Sequence, residues 1–309
     1  MSSVDNNIEA AEARKMCCAS CGIAEVDDVK LKPCDGCDLV RYCGDACKED
    51  HQLQHEASCK ERAAELERDE ILFRQPESTH RGDCPICMIP LSLYPDESRI
   101  YPCCSKTVCE GCSYANLVRE ADEEVKFKCP FCRHPLQENT EQNIILYEKR
   151  VEANDPVAIR QMAVRHYHFR QFDAAFEYHK RAADLGDTQA HYFLASMYLH
   201  WKCVENYEQK AIFHLEEAAI AGHPEARYDL SLKDWVKGNI ERAVKHWIIA
   251  ANLGYDVSLK ALKEYYKYGL VSKDDFAAAL RAHQATVNAT KSPQREAAAK
   301  HRKVLKGSW

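Results

Sequence analysis

The stretch "AFEYHKRAADLG", residues 175–186, decides the fold, because it recurs twice in the same phase. The copies read "AIFHLEEAAIAG" at residues 211–222 and "AVKHWIIAANLG" at residues 243–254. In each copy the leading alanine is followed by an Ala-Ala pair seven residues on and by a glycine eleven residues on. A fourth copy starts at Ala279 and lacks the glycine. These in-phase matches indicate a repeated structural unit.

The leading alanines lie 36, 32 and 36 residues apart, which is the length of a two-helix repeat. Glycine suits the left-handed residue that ends a helix, and alanine lets two helix backbones approach closely. A new helix is expected after each glycine, with Pro224 at a tolerated early position. Because one hairpin cannot bury its apolar face alone, we predict a mostly α-helical chain with a stacked helical-hairpin solenoid over residues 155–290.

These repeats resemble Sel-one-like repeats, which are short relatives of the tetratricopeptide repeat. The turns inside the units read "HFRQF", "HWKCVENY" and "VKGNI" in place of the Gly-x-Gly-Val turn of that family. The resemblance implies an array that binds other proteins.

Sixteen of the seventeen cysteines precede the repeats, eight between Cys17 and Cys59 and eight between Cys84 and Cys132. The remaining one, Cys203, stands alone. Residues 1–15 are polar and lack the apolar segment of a secretory signal. We therefore expect an intracellular protein, in the cytoplasm or the nucleus, with reduced cysteines. In that setting a high density of Cys-x2-Cys pairs indicates metal binding.

Charge and hydropathy argue against binding to nucleic acid and against a membrane-spanning helix. The net charge of −6 gives no electrostatic footprint for nucleic acid, so nucleic-acid binding is disfavoured. No run of about 18 apolar residues is present, so no membrane-spanning helix is expected. The basic stretch at residues 300–306 is interpreted as a solvated end.

The first cysteine module has two Cys-x2-Cys pairs, followed by Cys-x3-Cys and His-x3-Cys. The last two spacings place both ligands on one face of a helix. A structural zinc ion takes four thiolate or imidazole ligands, so eight candidates predict two ions. These candidates are Cys18, Cys21, Cys34, Cys37, Cys43, Cys47, His55 and Cys59.

The order of these ligands resembles a MYND zinc finger over residues 18–59, with Tyr42 in its place. The resemblance implies interleaved ligation and binding of short proline-containing peptides. One ion would be held by Cys18, Cys21, Cys43 and Cys47, and the other by Cys34, Cys37, His55 and Cys59. Gln52 stands where the family commonly has tryptophan. Cys17 and His51 are left over, as a bystander thiol and an exposed helix histidine.

The second module has three Cys-x2-Cys pairs and two adjacent cysteines between the first and second pairs. These again make eight candidates for two tetrahedral zinc ions. They are Cys84, Cys87, Cys103, Cys104, Cys109, Cys112, Cys129 and Cys132. Neighbours in an extended strand point apart, so Cys103 and Cys104 can share one ion only if the backbone turns there. The alternatives are that His134 replaces one of the two or that they form a vicinal disulfide.

The order and flanks, "CPIC" and "CPFCRHPL", resemble an all-cysteine RING finger. The resemblance implies a cross-brace of two sites. The first would be Cys84, Cys87, Cys109 and Cys112, and the second Cys103, Cys104, Cys129 and Cys132. It also implies docking of a ubiquitin-charged conjugating enzyme on Ile86 and Pro130, with Arg133 as a cation that bridges enzyme and ubiquitin. No catalytic nucleophile is expected, and Asn116 and Leu117 stand where many members have tryptophan.

These interpretations divide the chain into seven segments and support two hypotheses of function. The segments are a disordered lead (1–15), a MYND-type finger (16–60), a helical linker (61–81), a RING-type finger (82–137), a linker (138–154), Sel-one-like repeats (155–290) and a basic tail (291–309). The first hypothesis is a RING-type ubiquitin-protein ligase whose repeats and MYND-type finger recruit protein substrates. The alternative is a zinc-binding interaction scaffold without enzymatic activity.

Overall fold

The computed structural model describes residues 17–26, 29–137, 139–200 and 207–306. The chain divides into two compact units, one ending at Arg74 and the other beginning at Gln75. The predicted disordered lead and Cys203 lie outside the described residues.

The first unit contains the first cysteine module and one long helix. Its elements are β1 (Lys32–Pro33), β2 (Arg41–Tyr42) and α1 (Asp45–Leu72). The two strands pair antiparallel, and Cys18, Leu31 and Tyr42 form a small buried cluster. Helix α1 starts inside the cysteine module and continues without a break to Leu72. It therefore covers residues 61–72 of the segment predicted to be a helical linker.

The second cysteine module consists of a hairpin and a helix in the second unit. Its elements are β3 (Ser98–Tyr101), β4 (Lys106–Cys109) and α2 (Glu110–Asp122). The strands pair antiparallel, with Tyr101 opposite Lys106, so residues 102–105 form the tip of the hairpin. The buried core contains only three apolar side chains besides cysteines, namely Leu91, Tyr101 and Val108.

The rest of the second unit is helical. The helices are α3 (Thr140–Glu152), α4 (Pro156–His168), α5 (Phe172–Asp184), α6 (Thr188–His200), α7 (Tyr207–Ile220), α8 (Pro224–Val236), α9 (Ile240–Asn252), α10 (Asp256–Lys267), α11 (Lys273–Ala289) and α12 (Pro293–Lys306). Each of the pairs α4–α5, α6–α7, α8–α9 and α10–α11 is a hairpin, and successive hairpins pack together. The predicted solenoid is present, and α3 packs on its first helix.

The repeated residues have the roles that the sequence predicts. The leading alanines Ala175, Ala211, Ala243 and Ala279 lie on the second helix of each hairpin and are fully buried. The glycines after α5, α7 and α9 have φ of +86°, +82° and +89°. Only a residue without Cβ adopts this conformation at no steric cost. Small side chains thus set the helix spacing, and glycine sets the turn between hairpins.

The segment interpreted as a basic tail forms helix α12, which packs on α2 of the cysteine module. A Cβ at Gly111 would meet Arg295 N at 2.7 Å, so the glycine permits this close contact. Arg302 pairs with Asp96 Oδ2 at 2.7 Å and with Glu110 Oε2 at 2.9 Å. An acidic surface on the module therefore holds part of the basic stretch against the protein.

The segment that precedes the second cysteine module is fixed to the solenoid by contacts around one inter-hairpin turn. His80 N donates to Gly222 O at 3.0 Å, and the His80 ring stacks on His223 at a centroid distance of 4.1 Å. His80 Nε2 also lies 3.0 Å from Gln189 Oε1. Burial, together with the nearby Arg81 charge, lowers the pKa of His80 to about 4.

We expect Gly222→Ala to destabilise the second unit more than Gly238→Ala. Both glycines have φ of +82°, so both variants carry the same left-handed strain. Only at Gly222 would the new Cβ also clash with a backbone carbonyl, that of Ser78. The extra cost of about 1–3 kcal/mol should lower the thermal midpoint roughly 5 °C further. Thermal unfolding of both zinc-loaded variants by circular dichroism measures this, and equal midpoints would contradict the close contact.

Protonation of His80 should destabilise the protein between about pH 6.5 and pH 4. The folded-state pKa is depressed, so the unfolded chain binds the proton first as the pH falls. At pH 5 this linkage removes about 2 kcal/mol. The measurement is the loss of unfolding free energy from pH 7 to pH 5, which should be smaller by that amount in His80→Phe. Zinc ligands titrate equally in both proteins, so an unchanged pH dependence would refute the assignment.

Candidate metal centres

Tight turns shape three of the Cys-x2-Cys pairs. In the first unit, Gly22 N donates to Cys18 O at 2.9 Å and Cys18 N donates to Ile23 O at 2.8 Å. Gly22 has φ of +74°, so the chain reverses just after Cys21. This geometry directs both sulfurs of the pair to the same side, which is what a shared metal ion requires.

The first unit brings its eight predicted ligands together in two groups. The distances between ligand atoms include 3.6 Å for Cys21–Cys43 and 3.7 Å for Cys34–Cys59. Cys37 Sγ lies 3.2 Å from His55 Nε2. The groups are Cys18, Cys21, Cys43 and Cys47, and Cys34, Cys37, His55 and Cys59. This is the interleaved grouping that the sequence resemblance implies.

The residue left over from that set, His51, has a supporting position. Its Nδ1 lies 3.1 Å from the Tyr42 hydroxyl, and its ring stacks on His55 at a centroid distance of 5.7 Å. Tyr42 is buried in the small core of the module. His51 is therefore no ligand, and it helps to orient the ring of a neighbouring ligand, as outer-shell partners commonly do.

The first and third pairs of the second module have the same turn. Met88 N donates to Cys84 O and Arg133 N donates to Cys129 O, both at 2.9 Å. Met88 and Arg133 both have positive φ, of 55° and 63°. These non-glycine residues adopt the left-handed conformation that Gly22 adopts in the first unit.

The adjacent cysteines lie in the turn that joint ligation requires. At the tip of the hairpin, Cys104 N and Ser105 N both donate to Tyr101 O, at 3.2 and 2.8 Å. Ser105 has φ of +55°. Both sulfurs therefore point to the same place: Cys104 Sγ lies 3.8 Å from Cys129 Sγ, and Cys103 Sγ lies 3.4 Å from Cys132 Sγ.

Two groups of four sulfurs result. They are Cys84, Cys87, Cys109 and Cys112, and Cys103, Cys104, Cys129 and Cys132. His134 is outside them, and its carbonyl accepts a hydrogen bond from Cys129 N at 2.7 Å. The arrangement is a cross-brace, since each group joins pairs that are distant in sequence.

The donor atoms in all four groups fit zinc. Within each group the ligand atoms lie within 4.8 Å of one another. A zinc ion about 2.3 Å from each of four tetrahedral sulfurs places them roughly 3.8 Å apart, close to the distances observed. The crowded thiols also differ in acidity, since a hydrogen bond from Cys109 lowers the pKa of Cys84 to about 4. The four groups fit four structural zinc sites with all positions filled by protein atoms.

The residues expected to contact a conjugating enzyme lie on the metal-held turns. Ile86 is 42% exposed, and Pro130 is partly buried. Phe131 occupies the same place in the third pair that Ile86 occupies in the first, and it is exposed to the same extent. The side chain of Arg133 makes intramolecular contacts instead of extending freely, with its guanidinium 2.7 Å from Glu120 Oε1 and from Asn116 Oδ1.

Sequence reasoning missed the contacts by which Glu120, Asn116 and Arg295 support the second module. Glu120 and Asn116 bind Arg133, and Arg295 donates to Ile89 O at 2.9 Å and to Pro90 O at 2.6 Å. The α2 helix places Asn116 and Glu120 one turn apart, which is a detectable signal only once the helix is known. The contact of Arg295 spans about two hundred residues and leaves no local signal.

Comparisons with known proteins name the first cysteine module. Residues 18–59 match the family model of the MYND finger. A Sel1 repeat protein of Oxalobacter formigenes is similar in structure, with 22% identity, a TM-score of 0.42, and coverage of 58% of this chain and 72% of that one. A protective antigen of uropathogenic Escherichia coli with an SLR fold has 16% identity and a TM-score of 0.30, covering 53% and 48%. An immunity protein of Pseudomonas aeruginosa has 14% identity and a TM-score of 0.31, covering 59% and 84%.

Curated proteins give no match to this chain. Among the described residues, no helix is long and apolar enough to cross a bilayer. The chain thus combines a segment that matches the MYND finger, a second module with two candidate zinc sites, and a series of helical hairpins.

We expect Cys104→Ser to lower the zinc content from four ions to three, because it removes one of four ligands from the hairpin-tip site. His134→Ala should leave four ions, since its ring is not in the cluster. Native mass spectrometry of the full chain measures both, with Cys17→Ser as a control that should keep four. Loss of an ion in His134→Ala would contradict the vicinal-cysteine site.

Proposed function

We propose that this chain is a RING-type ubiquitin-protein ligase. The second cysteine module docks a conjugating enzyme charged with ubiquitin, and the repeats and the MYND finger recruit the protein substrate. The observation that carries the proposal is the cross-brace of residues 84–132, in which two interleaved four-cysteine groups hold a hairpin and a helix. A zinc ion in each group would fix the two exposed turns relative to each other.

The two turns supply the apolar contacts that docking requires. Ile86 and Phe131 occupy equivalent places in turns of the same geometry, and both side chains face solvent. On α2, Leu117 is exposed as well. Apolar side chains on a rigid scaffold lose little entropy on binding, which favours a specific complex. These residues support a docking surface made of the first pair, the third pair and α2.

The chemistry would be supplied by the conjugating enzyme. The substrate lysine amine attacks the thioester carbonyl, an isopeptide bond forms, and the enzyme's cysteine leaves as a thiolate. The module contributes by holding the thioester in a reactive geometry, and positioning alone is a substantial source of rate. Its eight cysteines form closed four-ligand sites, so they support structural rather than catalytic zinc.

A scaffold without enzymatic activity is the second candidate. The match to the MYND finger and the helical repeats favour it, because both modules bind proteins without catalysing a reaction. It requires the second zinc module only as a structural or binding element. The two candidates differ in one measurable property, the discharge of ubiquitin from a conjugating enzyme.

Ile86→Ala should lower ubiquitin discharge at least about tenfold, since a docked isoleucine loses its buried area. The assay follows discharge of charged conjugating enzymes to free lysine, across a panel of such enzymes. Val125→Ala is the matched control, because Val125 is 43% exposed in the same module and lies outside the cross-braced turns. Val125→Ala should discharge like wild type.

One outcome would contradict the ligase, and another would contradict the docking surface proposed for it. If wild-type protein raises the rate of ubiquitin discharge above the spontaneous rate for no enzyme of the panel, the ligase is refuted and the scaffold is the remaining candidate. Equal activity of the Ile86 and Val125 variants would remove the proposed docking surface. In the scaffold case, both variants should bind the same protein partners as wild type.

A further inference from the structure

A carboxylate is buried inside the second cysteine module, at Glu120 of α2. Its side chain is inaccessible to solvent. Oε2 accepts hydrogen bonds from Lys128 N at 3.0 Å and from Asn116 Nδ2 at 2.9 Å, and Oε1 lies 2.7 Å from Arg133 Nη2. Burial alone would raise the pKa of Glu120, but these contacts outweigh it and lower the pKa. A charged group is tolerated in such a place only when it is paired and hydrogen-bonded.

Arg133 is held at both ends by this arrangement. Its backbone belongs to the turn of the third cysteine pair, where its N donates to Cys129 O at 2.9 Å. Its guanidinium donates to Glu120 through Nη2 and to Asn116 Oδ1 through Nη1, both at 2.7 Å. An arginine side chain has many rotamers, and two charge-assisted contacts of this kind select one.

The held guanidinium still faces solvent. The Arg133 side chain is 45% exposed. Guanidinium has five N–H donors, and two contacts use two of them. Three donors remain for a partner outside the module, as judged from the hydrogen bonds within the described residues.

We propose that Glu120, assisted by Asn116, is a positioning residue that holds Arg133 in the orientation in which it contacts the charged conjugating enzyme. This inference rests on the proposed ligase function. Arg133 acts in the held orientation, because its departure would take the nearer of two cations, at 2.7 Å, from a buried carboxylate and leave it only Arg119 at 3.6 Å. Glu120 itself touches neither the conjugating enzyme nor ubiquitin.

A purely structural role for Glu120 predicts something different. Glu120 also accepts from Lys128 N and so ties the segment before the third cysteine pair to α2. Glu120→Gln keeps the shape and one carbonyl oxygen for Lys128 N–H, while it replaces the oxygen that faces Arg133 with an amide donor. The substitution therefore removes one of the two contacts that hold the Arg133 guanidinium, and it preserves the tie to the backbone.

The first test is the kinetics of discharge with full-length, zinc-loaded protein. Glu120→Gln and Arg133→Ala should each lower kcat roughly tenfold, the scale of one charge-assisted hydrogen bond, with KM for the charged conjugating enzyme unchanged. The double variant should be no slower than Arg133→Ala, since both changes remove one interaction. Asp122→Asn is the matched control, because Asp122 is an exposed carboxylate in the last turn of the same helix. It should keep wild-type kcat.

The second test does not depend on ligase activity. The Arg133 Nε–H signal, identified by its loss in Arg133→Lys, should have a high NMR order parameter in wild type and a much lower one in Glu120→Gln. Equal mobility in the two proteins would overturn the inference, and so would a Glu120→Gln variant with wild-type kcat. If wild type is inactive but its Arg133 is rigid and becomes mobile in Glu120→Gln, the ligase is refuted while the positioning of Arg133 by Glu120 stands. A change in KM alone, or a loss of zinc in Glu120→Gln, would assign Glu120 to structure.

Discussion

Metal ligation replaces the hydrophobic core in both cysteine modules, and everything that these modules present depends on it. Few side chains other than cysteine are buried in either one. A segment of that size buries too little apolar surface to offset its chain entropy, so bound zinc must supply much of the folding free energy. The ligand groups link residues that are distant in sequence, so one ion fixes two turns at once. The exposed residues on those turns are held by coordination rather than by packing.

The helical part of the chain buries its apolar surface by stacking repeated hairpins instead of binding metal. Its hairpins have small residues where helices meet, and Ala182 and Ala218 are as completely buried as the leading alanines. The turn glycines end each second helix, and the polar residue that follows starts the next hairpin, as Asp187 does by accepting from Ala190 N at 2.8 Å. The surface along these turns is not left entirely free, since His80 packs against His223 at one of them.

Local patterns made most of this predictable. Periodic alanines and glycines indicated the hairpins, and cysteine spacing indicated the candidate ligands, because both reflect contacts between residues a few positions apart. Joint ligation by Cys103 and Cys104 requires a turn, which Pro102 and Ser105 make plausible. The sequence does not specify the φ of +55° at Ser105 on which the turn depends, because that value is unusual for a residue with a side chain. To predict which residues contact Arg133, one must know where α2 lies relative to the third cysteine pair. No local pattern encodes that geometry.

The packing of α12 on α2 has a consequence for the synthesis of the protein. Gly111 and Arg295 are in contact, yet the ribosome makes them 184 residues apart. The second cysteine module can bind its metal early, but its α2 surface stays uncovered until the whole solenoid has emerged and α12 has followed. During that interval a chaperone or a partner protein has access to a face of the module that the folded chain later closes. A message truncated before residue 293 would make a protein in which that face stays open.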